Sequence, residues 1–501
     1  MGMPFLYQDF HGGLNLKDAP TLLVDNEARD LSNVQGTTAG AVVKRNGLNT
    51  FASPASALTS LAPLESVGPF LVGAGGTSLY SIATGGVVAS IKTGLTNNLR
   101  WEFVSAPVVS SQGPLFGVNG TDTPQQWNGV AGSTSNWTNA SGSVAVPNGK
   151  YMAYANNQVF ISGVAAFPST VYWSAIADPT NWDPASLTGA GSAQFDPNDG
   201  QAITGIGRVG PYVLVCKPRK LWVIADTANP TTRRISDNIG CVSHRSIATG
   251  SEGTYFLSED RGVYITNGSK LTPISDKIQP AMDVVAGQRS QAAGAYYNGH
   301  YYLSVAGGGA PPNDTTYDYD ATLQSWWRHT FGSNQFAVWH PSTTAGLYSA
   351  KSTSAKVDQC FVPGVTQDNG ANFTWVWRGP WQSPTFYRRR RFPTPYFRKR
   401  LRQVRMEGQG TVDFSLAKDY AGAETLIASN ILGTNTGGMF GGTGSFGGTG
   451  LFGDAATINR QRFYSLGVAN VFSLVFGATS STQDALYSYT LMVADRKDSV
   501  T

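Results

Sequence analysis

Charge is the scarcest thing in this chain. Only 14% of its residues are Asp, Glu, Lys or Arg, against roughly 25% in an ordinary soluble domain. A soluble monomer uses charge to keep apart from its neighbours, so a surface this sparse implies that much of it meets other protein. Cysteine is nearly absent too. Cys216, Cys241 and Cys360 form no CxxC pair. That argues against a disulfide framework or zinc site and fits a reducing place of synthesis. The five histidines, His11, His244, His300, His329 and His340, show no HExxH or paired spacing, and nucleophile-elbow and P-loop patterns are missing. The leading residues Met1-Gly2-Met3-Pro4-Phe5-Leu6 lack a basic region and a long apolar stretch, so no signal peptide is expected. No uncharged apolar run reaches the ~18 residues that span a bilayer.

Helical periodicity is nearly absent as well. Apolar residues come in short runs or alternate, as strands require. What is abundant is glycine, 58 residues, with 26 prolines, the punctuation of many tight turns. One unit recurs: a short apolar strand, a turn, and a second strand opening on an aromatic. Tyr212-Val213-Leu214-Val215 runs to Leu221-Trp222, and Tyr255-Phe256-Leu257 to Val263-Tyr264. Anchor aromatics Tyr80, Trp127, Tyr172, Trp222, Tyr264, Tyr317 and Tyr348 lie 47, 45, 50, 42, 53 and 31 residues apart. A period of about 40–50 residues with several short strands per unit is the mark of a β-propeller. The turn-rich stretch from Ala306 to Asp314 accounts for the longest interval. Six or seven blades are expected. The last interval is short, and the N-terminal segment is available to complete a blade.

The expected fold is therefore all-β: a β-propeller-like repeat domain followed by a C-terminal β-sandwich-like domain. Residues 1–55 read as an N-terminal docking segment, 56–370 as the propeller and 371–501 as the sandwich, with a Gly/Phe-rich loop at 433–453. The acidic start of the stretch Asp25 to Val34 reads as one short helix. Thr411 to Leu416 and Val471 to Phe476 alternate as half-buried strands.

The charges that exist are unevenly placed. Arg388, Arg389, Arg390, Arg391, Arg398, Lys399, Arg400, Arg402 and Arg405 form a basic band with no acid. The 36 basic residues less these nine leave 27 against 32 acidic, a net of −5 elsewhere. Three readings stand for the band. It pairs with carboxylates at a subunit interface, it touches DNA phosphates without reading sequence, or it is solvated or paired within its own domain. Tyr387, Phe392, Tyr396 and Phe397 are interleaved with it, as in single-strand binders. In the glycine-rich loop, Phe440, Phe446 and Phe452 recur every six residues. An even spacing puts their rings on one face of an extended segment. The loop reads as a channel gate or envelope contact, or as a hairpin that neighbouring subunits order.

Asp196-Pro197-Asn198-Asp199-Gly200 and Asp318-Tyr319-Asp320 present oxygen atoms to a cation but lack the ligand count of a calcium loop. Both read as turns. Ser258-Glu259-Asp260-Arg261-Gly262 comes close to the Ser-x-Asp-x-Gly turn of sialidase-type propellers, with Tyr264 one residue early. It too is read as a structural turn. No catalytic residue, cofactor site or metal site is read from the sequence, and the chain is not read as an enzyme.

Several motifs occur in a telling order. Gly12-Gly13-Leu14-Asn15, Asp25-Asn26-Glu27-Ala28 and Lys44-Arg45-Asn46-Gly47 open the chain. Val171-Tyr172-Trp173-Ser174, Asp178-Pro179-Thr180-Asn181-Trp182, Tyr255-Phe256-Leu257-Ser258 and Pro273-Ile274-Ser275-Asp276-Lys277-Ile278 follow. Across roughly residues 10–415 the chain resembles structural proteins of tailed-phage virions, in particular the propeller-bearing hub or nozzle protein of short-tailed phages. The resemblance implies a ring of several copies, usually six, below the portal and adaptor proteins. Such a ring continues the channel for double-stranded DNA, carries fibres or spikes and retains the genome until ejection. The implied location is the virion tail, after synthesis in the bacterial host cytoplasm. No catalytic residues come with the resemblance. The competing reading is a propeller-type polysaccharide-degrading enzyme or glycan-binding module of the virion, with Trp/Asp-rich loops such as Asp178 to Asp183 holding sugar. A hydrolase of that kind needs two carboxylates at a set separation.

Overall fold

The computed structural model describes residues 3–64, 68–107, 113–130, 132–139, 144–186, 189–227, 231–260, 262–382, 399–420, 422–429, 459–469 and 471–495. Its residues fall into two compact units. One comprises Leu48–Thr322 and Thr330–Phe361. The other comprises Met1–Gly47, Leu323–His329 and Val362–Thr501.

Among the described residues, strands gather into seven four-stranded antiparallel sheets. The innermost strands are Leu58–Leu64, Glu102–Ser105, Tyr151–Ala155, Gly205–Val209, Ala248–Thr249, Ala293–Tyr297 and Ser333–Trp339. Each lies against the next, and the last lies against the first, closing a ring. This is a seven-bladed propeller. A sheet buries one face only when something covers it, and here the covering is the neighbouring blade. Blades one and two share Val72, Trp101 and Trp127, blades two and three share Phe116, Trp137 and Ile161, and blades three and four share Phe160, Val213 and Trp222. Between blades five and six, Tyr255 stacks on Tyr301 with ring centroids 4.9 Å apart.

The repeat anchors have a structural position. Tyr80, Trp127, Tyr172, Trp222, Tyr264 and Tyr317 all fall on the third strand of their blades. Tyr348 falls on the second strand of blade seven, Gly346–Lys351, opposite Gln359 of the third. That displacement makes the last interval short. The outermost strand of blade seven is Asn49–Ala52, which pairs antiparallel with Val357–Cys360. The ring is thus closed by hydrogen bonds between residues at opposite ends of the repeat region.

The second unit is a two-layer sandwich. Its five-stranded sheet runs Thr425–Ala428, Asp413–Lys418, Phe472–Ser480, Phe373–Arg378 and Asp30–Ser32. Its six-stranded sheet runs Asn459–Ala469, Lys399–Gln409, Ala485–Asp495, Val42–Lys44 and Val34–Gly36, with Met3–Tyr7 also on Ala485–Asp495. The sheets meet through aromatics. Phe476 lies 5.5 Å from Tyr489, and Phe414 lies 5.3 Å from Phe463.

Two expectations need correcting. Residues 1–55 are not a separate docking segment, because the first 47 belong to the sandwich unit and the next few to the propeller. Strands of two to five residues bury too little apolar surface to stand alone and are stable only by adding to larger sheets. The stretch from Asp25 to Val34 is not a helix. It holds Glu27–Ala28 and Asp30–Ser32 as strands, because pairing with Phe373–Arg378 and burial of Leu31 override the local acidic signal. Among the described residues the only α-helix is Gln279–Val284, which lies between blades five and six.

Candidate functional site

The inner strands converge on an axis, and the side chains there decide whether a channel exists. Arg245 sits in the short 3-10 turn His244–Ser246 that leads into blade five. Its residue is 6% exposed. The guanidinium crosses to the far side of the ring. Nε donates to Glu102 Oε1 at 2.7 Å, at the start of blade two. Nη2 donates to Ser60 Oγ at 2.8 Å and to the Trp101 carbonyl at 3.1 Å. Nη1 donates to the Thr59 carbonyl, and to that of Asn334 at 3.4 Å. One arginine therefore ties the lead-in of blade five to blades one, two and seven. His244 Nε2 lies 3.6 Å from the second Glu102 oxygen. Burial pushes the His244 pKa down, against the pull of Glu102, so the ring is neutral near pH 7.

This partition divides the axis into two chambers. One, about 340 Å³, opens where the inner strands begin and is walled by Arg100, Asn119, Lys150, Tyr151 and Thr204. The other, about 310 Å³, lies further along the inner strands, among Met152, Ile206, Arg208 and Phe336. Both share Glu102, His244 and Arg245. Arg100 also reaches across the opening, donating to the Ser290 carbonyl at 3.3 Å and to Gln291 Oε1 before blade six. Among the described residues Glu102 is the sole carboxylate lining either chamber, and it is held by Arg245.

The basic band is only partly in view. Arg388, Arg389, Arg390, Arg391 and Arg398 lie outside the described residues, as do Tyr387, Phe392, Tyr396 and Phe397. So do Phe440, Phe446 and Phe452 of the glycine-rich loop. Lys399 begins the strand Lys399–Gln409, and its side chain too lies outside the description. On that strand Leu401, Val404 and Met406 are buried, while Arg400 and Arg402 are exposed and Arg405 is half-buried. Sequence reasoning missed what comes next. Strand Asn459–Ala469 sets Arg462 opposite Arg405 and Arg460 opposite Glu407. Like charges directly opposite repel. Glu407 relieves part of this, accepting from Arg405 Nη2 at 2.9 Å and from Arg460 Nε at 3.1 Å. The result is a basic sheet face with one acid in its midst. Only the register of the two strands, some fifty residues apart in sequence, reveals it.

The acidic turn at Asp196 to Gly200 is internally neutralised. Asp196 and Asp199 face Lys217, Lys220 and Arg234 at 2.6–2.9 Å. Burial alone would raise the Asp199 pKa, but hydrogen bonds from Lys217 and the Gln201 backbone bring it down to about 2. Asp318-Tyr319-Asp320 is not a turn: it ends the strand Thr315–Asp320, whose ladder with His300–Val305 overrides the local signal, and Asp318 holds His300 at 2.7 Å. Among the described residues no group of His, Cys, Asp and Glu is arranged to hold a metal ion. Ser258 and Gly262 bracket a turn between strands Thr254–Ser258 and Gly262–Thr266. Gly262 has φ +79, and a Cβ there would meet Ser275 Oγ at 2.4 Å. Arg261 of that turn lies outside the described residues.

The motifs behind the resemblance are interior. Asn15 Nδ2 donates to buried Glu27 at 2.9 Å. Lys44 is fully buried and donates to the Ser480 and Thr482 carbonyls at 2.6 and 3.2 Å. Arg45 grips Asp368 through two hydrogen bonds of 2.8 and 2.6 Å and lies 4.0 Å above the Phe373 ring. A Cβ on Gly47 would stand 1.9 Å from the Gln367 carbonyl oxygen. Trp182 is 4% exposed. Its indole and that of Trp137 both donate to the Pro179 carbonyl, at 2.8 and 3.1 Å, so this aromatic is not presented to sugar.

The chain is thus an all-β protein bearing a β-propeller. No protein-family model matches it, and no curated protein does. Among solved structures it is similar to a streptogramin B lyase, at 9% identity over 63% of this chain and 97% of that one, with a TM-score of 0.43. It is also similar to the WD40 domain of Neurospora crassa Pan2, at 9% identity over 65% and 97%, with a TM-score of 0.39.

Proposed function

We propose that this protein is a structural subunit of a phage tail, the hub or nozzle ring that extends the DNA channel below the portal and adaptor. In this reading it attaches fibres or spikes and retains the genome until ejection. The observation that carries the reading is where the resemblance motifs lie. Asn15, Glu27, Lys44, Arg45, Trp173, Trp182 and Ser275 are all buried, so the residues on which the resemblance rests belong to the framework. Two further features support it. The sparse charge suits a surface covered by other copies. The propeller's own axis is plugged by Arg245, so it serves as a rigid body, and DNA would pass through a ring of whole subunits. The basic face around Arg402, Arg405 and Arg462 fits an acidic neighbour better than the duplex, since a sliding conduit should not grip phosphates.

The enzymatic alternative finds little here. A retaining or inverting glycosidase needs two carboxylates, and among the described residues the axial chambers offer Glu102 alone, already bound to Arg245.

The test is the native mass of the full chain by light scattering, with negative-stain imaging. The expected result is open-centred rings, wide enough for a duplex of about 20 Å. Arg402→Glu with Arg462→Glu should disperse the rings without lowering the melting temperature. A well-behaved monomer that depolymerises capsular polysaccharide would overturn the proposal.

A further inference from the structure

Arg100 and Lys150 share the chamber at the mouth of the propeller, and among the described residues neither makes an ion pair with a carboxylate. Glu102, the one acid in that wall among the described residues, is occupied by Arg245, and His244 is neutral. The wall therefore holds two cations beyond its one neutralised pair. Among the described residues Arg100 donates to neutral acceptors, the Ser290 carbonyl and the Gln291 amide oxygen. A guanidinium has five N–H groups, so donors remain for a ligand. The Lys150 side chain is exposed at the rim, with three donors of its own. Burial, aided by the charge of Arg245, pushes the Arg100 pKa down to about 10. It stays charged at neutral pH, yet its solvation is incomplete, and an arriving anion would restore it. Tyr151 adds a flat wall, its ring tilted against His244 with centroids 5.2 Å apart.

We propose that the mouth chamber binds a small organic anion, a carboxylate or phosphate on a ring-sized body. Arg100 and Lys150 clasp the anionic oxygens, and Tyr151 lines the body. The volume of about 340 Å³ sits at the small end of ligand sites. The Glu102–Arg245 partition floors it, so it takes a free molecule or a terminal group and not the middle of a polymer. This site does not depend on the tail assignment, since a rigid propeller in any setting would present it.

The experiment is calorimetric titration of the full chain at low salt with glucuronate, with inorganic phosphate, and with glucose as the uncharged control. The expected result is that at least one anion binds with a Kd of about 1 mM or tighter and that glucose does not. Glucuronate binding more tightly than phosphate identifies a sugar acid that uses the Tyr151 wall. The reverse order identifies a phosphate group. Lys150→Gln should weaken the bound anion about tenfold and, being exposed, should leave folding intact. Arg100→Gln should weaken it further. No heat from either anion, glucose binding as well as glucuronate, or equal binding by Lys150→Gln and the parent chain would each overturn the proposal.

Discussion

Arg245 and Glu102 are 143 residues apart in sequence and 2.7 Å apart in space. Their bond spans the propeller axis, with side chains only 3% and 9% exposed. A buried pair of this kind punishes the loss of one partner, because the other charge is left in a poor solvent. Arg245→Met should cost about 3–5 kcal/mol of stability. Adding Glu102→Met to it should recover a good part of that loss. Urea denaturation of both variants checks this, and equal destabilisation by the single and double changes would contradict it.

Blade seven depends on Asn49–Ala52. Removing residues 1–55 should leave Val357–Cys360 as an unpaired edge and open the ring. Hydrogen exchange at Leu347 to Cys360 should accelerate, and the truncated chain should aggregate through the exposed edge. Unchanged protection there would mean that the ring closes without its last strand.

His300 gives a pH signature. Burial lowers its pKa, but the Asp318 carboxylate and hydrogen bond outweigh this and bring it up to about 9. The unfolded value is near 6.5. The pairing therefore contributes its full stability below about pH 6.5 and loses it as pH rises through 9. His300→Asn should melt below the parent at pH 6, and the gap should close by about pH 9.5. An NMR titration should place the His300 midpoint well above neutrality.

Trp182 tests the sugar-binding alternative directly. If its role is packing, Trp182→Ala should cost about 3–5 kcal/mol. Polysaccharide binding by the folded remainder should not change. A variant of parental stability that loses glycan binding would restore the alternative.

Arg45 and Asp368 form the sandwich counterpart of the axial pair. Lysine cannot reproduce a two-point grip, so Arg45→Lys should destabilise the unit by about 2–4 kcal/mol. Chemical denaturation followed by the fluorescence of Trp375 and Trp377 should report it.

How far the sequence disclosed all this follows from how local each signal is. The anchors from Tyr80 to Tyr317 were legible because each blade repeats its own third strand. Tyr348 misled the spacing because its aromatic moved to the second strand. Leu31 was unreadable as a sandwich strand, since its pairing partner Trp377 lies more than 300 residues on, and the hairpin that pairs Val42 with Gly36 joins the sheet through Leu486, also more than 300 residues on. The same holds at the axis. Nothing near Arg245 in sequence announces Glu102, Ser60 or Asn334, which only the circular arrangement of blades brings together. Arg402 and Arg405 were visible as a run, whereas Arg460 and Arg462 joined them through strand register alone.

The closure of blade seven also sets a timetable for synthesis. Asn49 is made before any blade of the ring, and its partner Gln359 emerges 310 residues later. At the usual 5–20 residues per second, that is a wait of roughly 15 to 60 seconds. Through that interval the early strand has no mate, and every completed blade remains part of an open arc. The propeller therefore cannot mature blade by blade at the ribosome, and its final state arrives at once when the two distant strands meet.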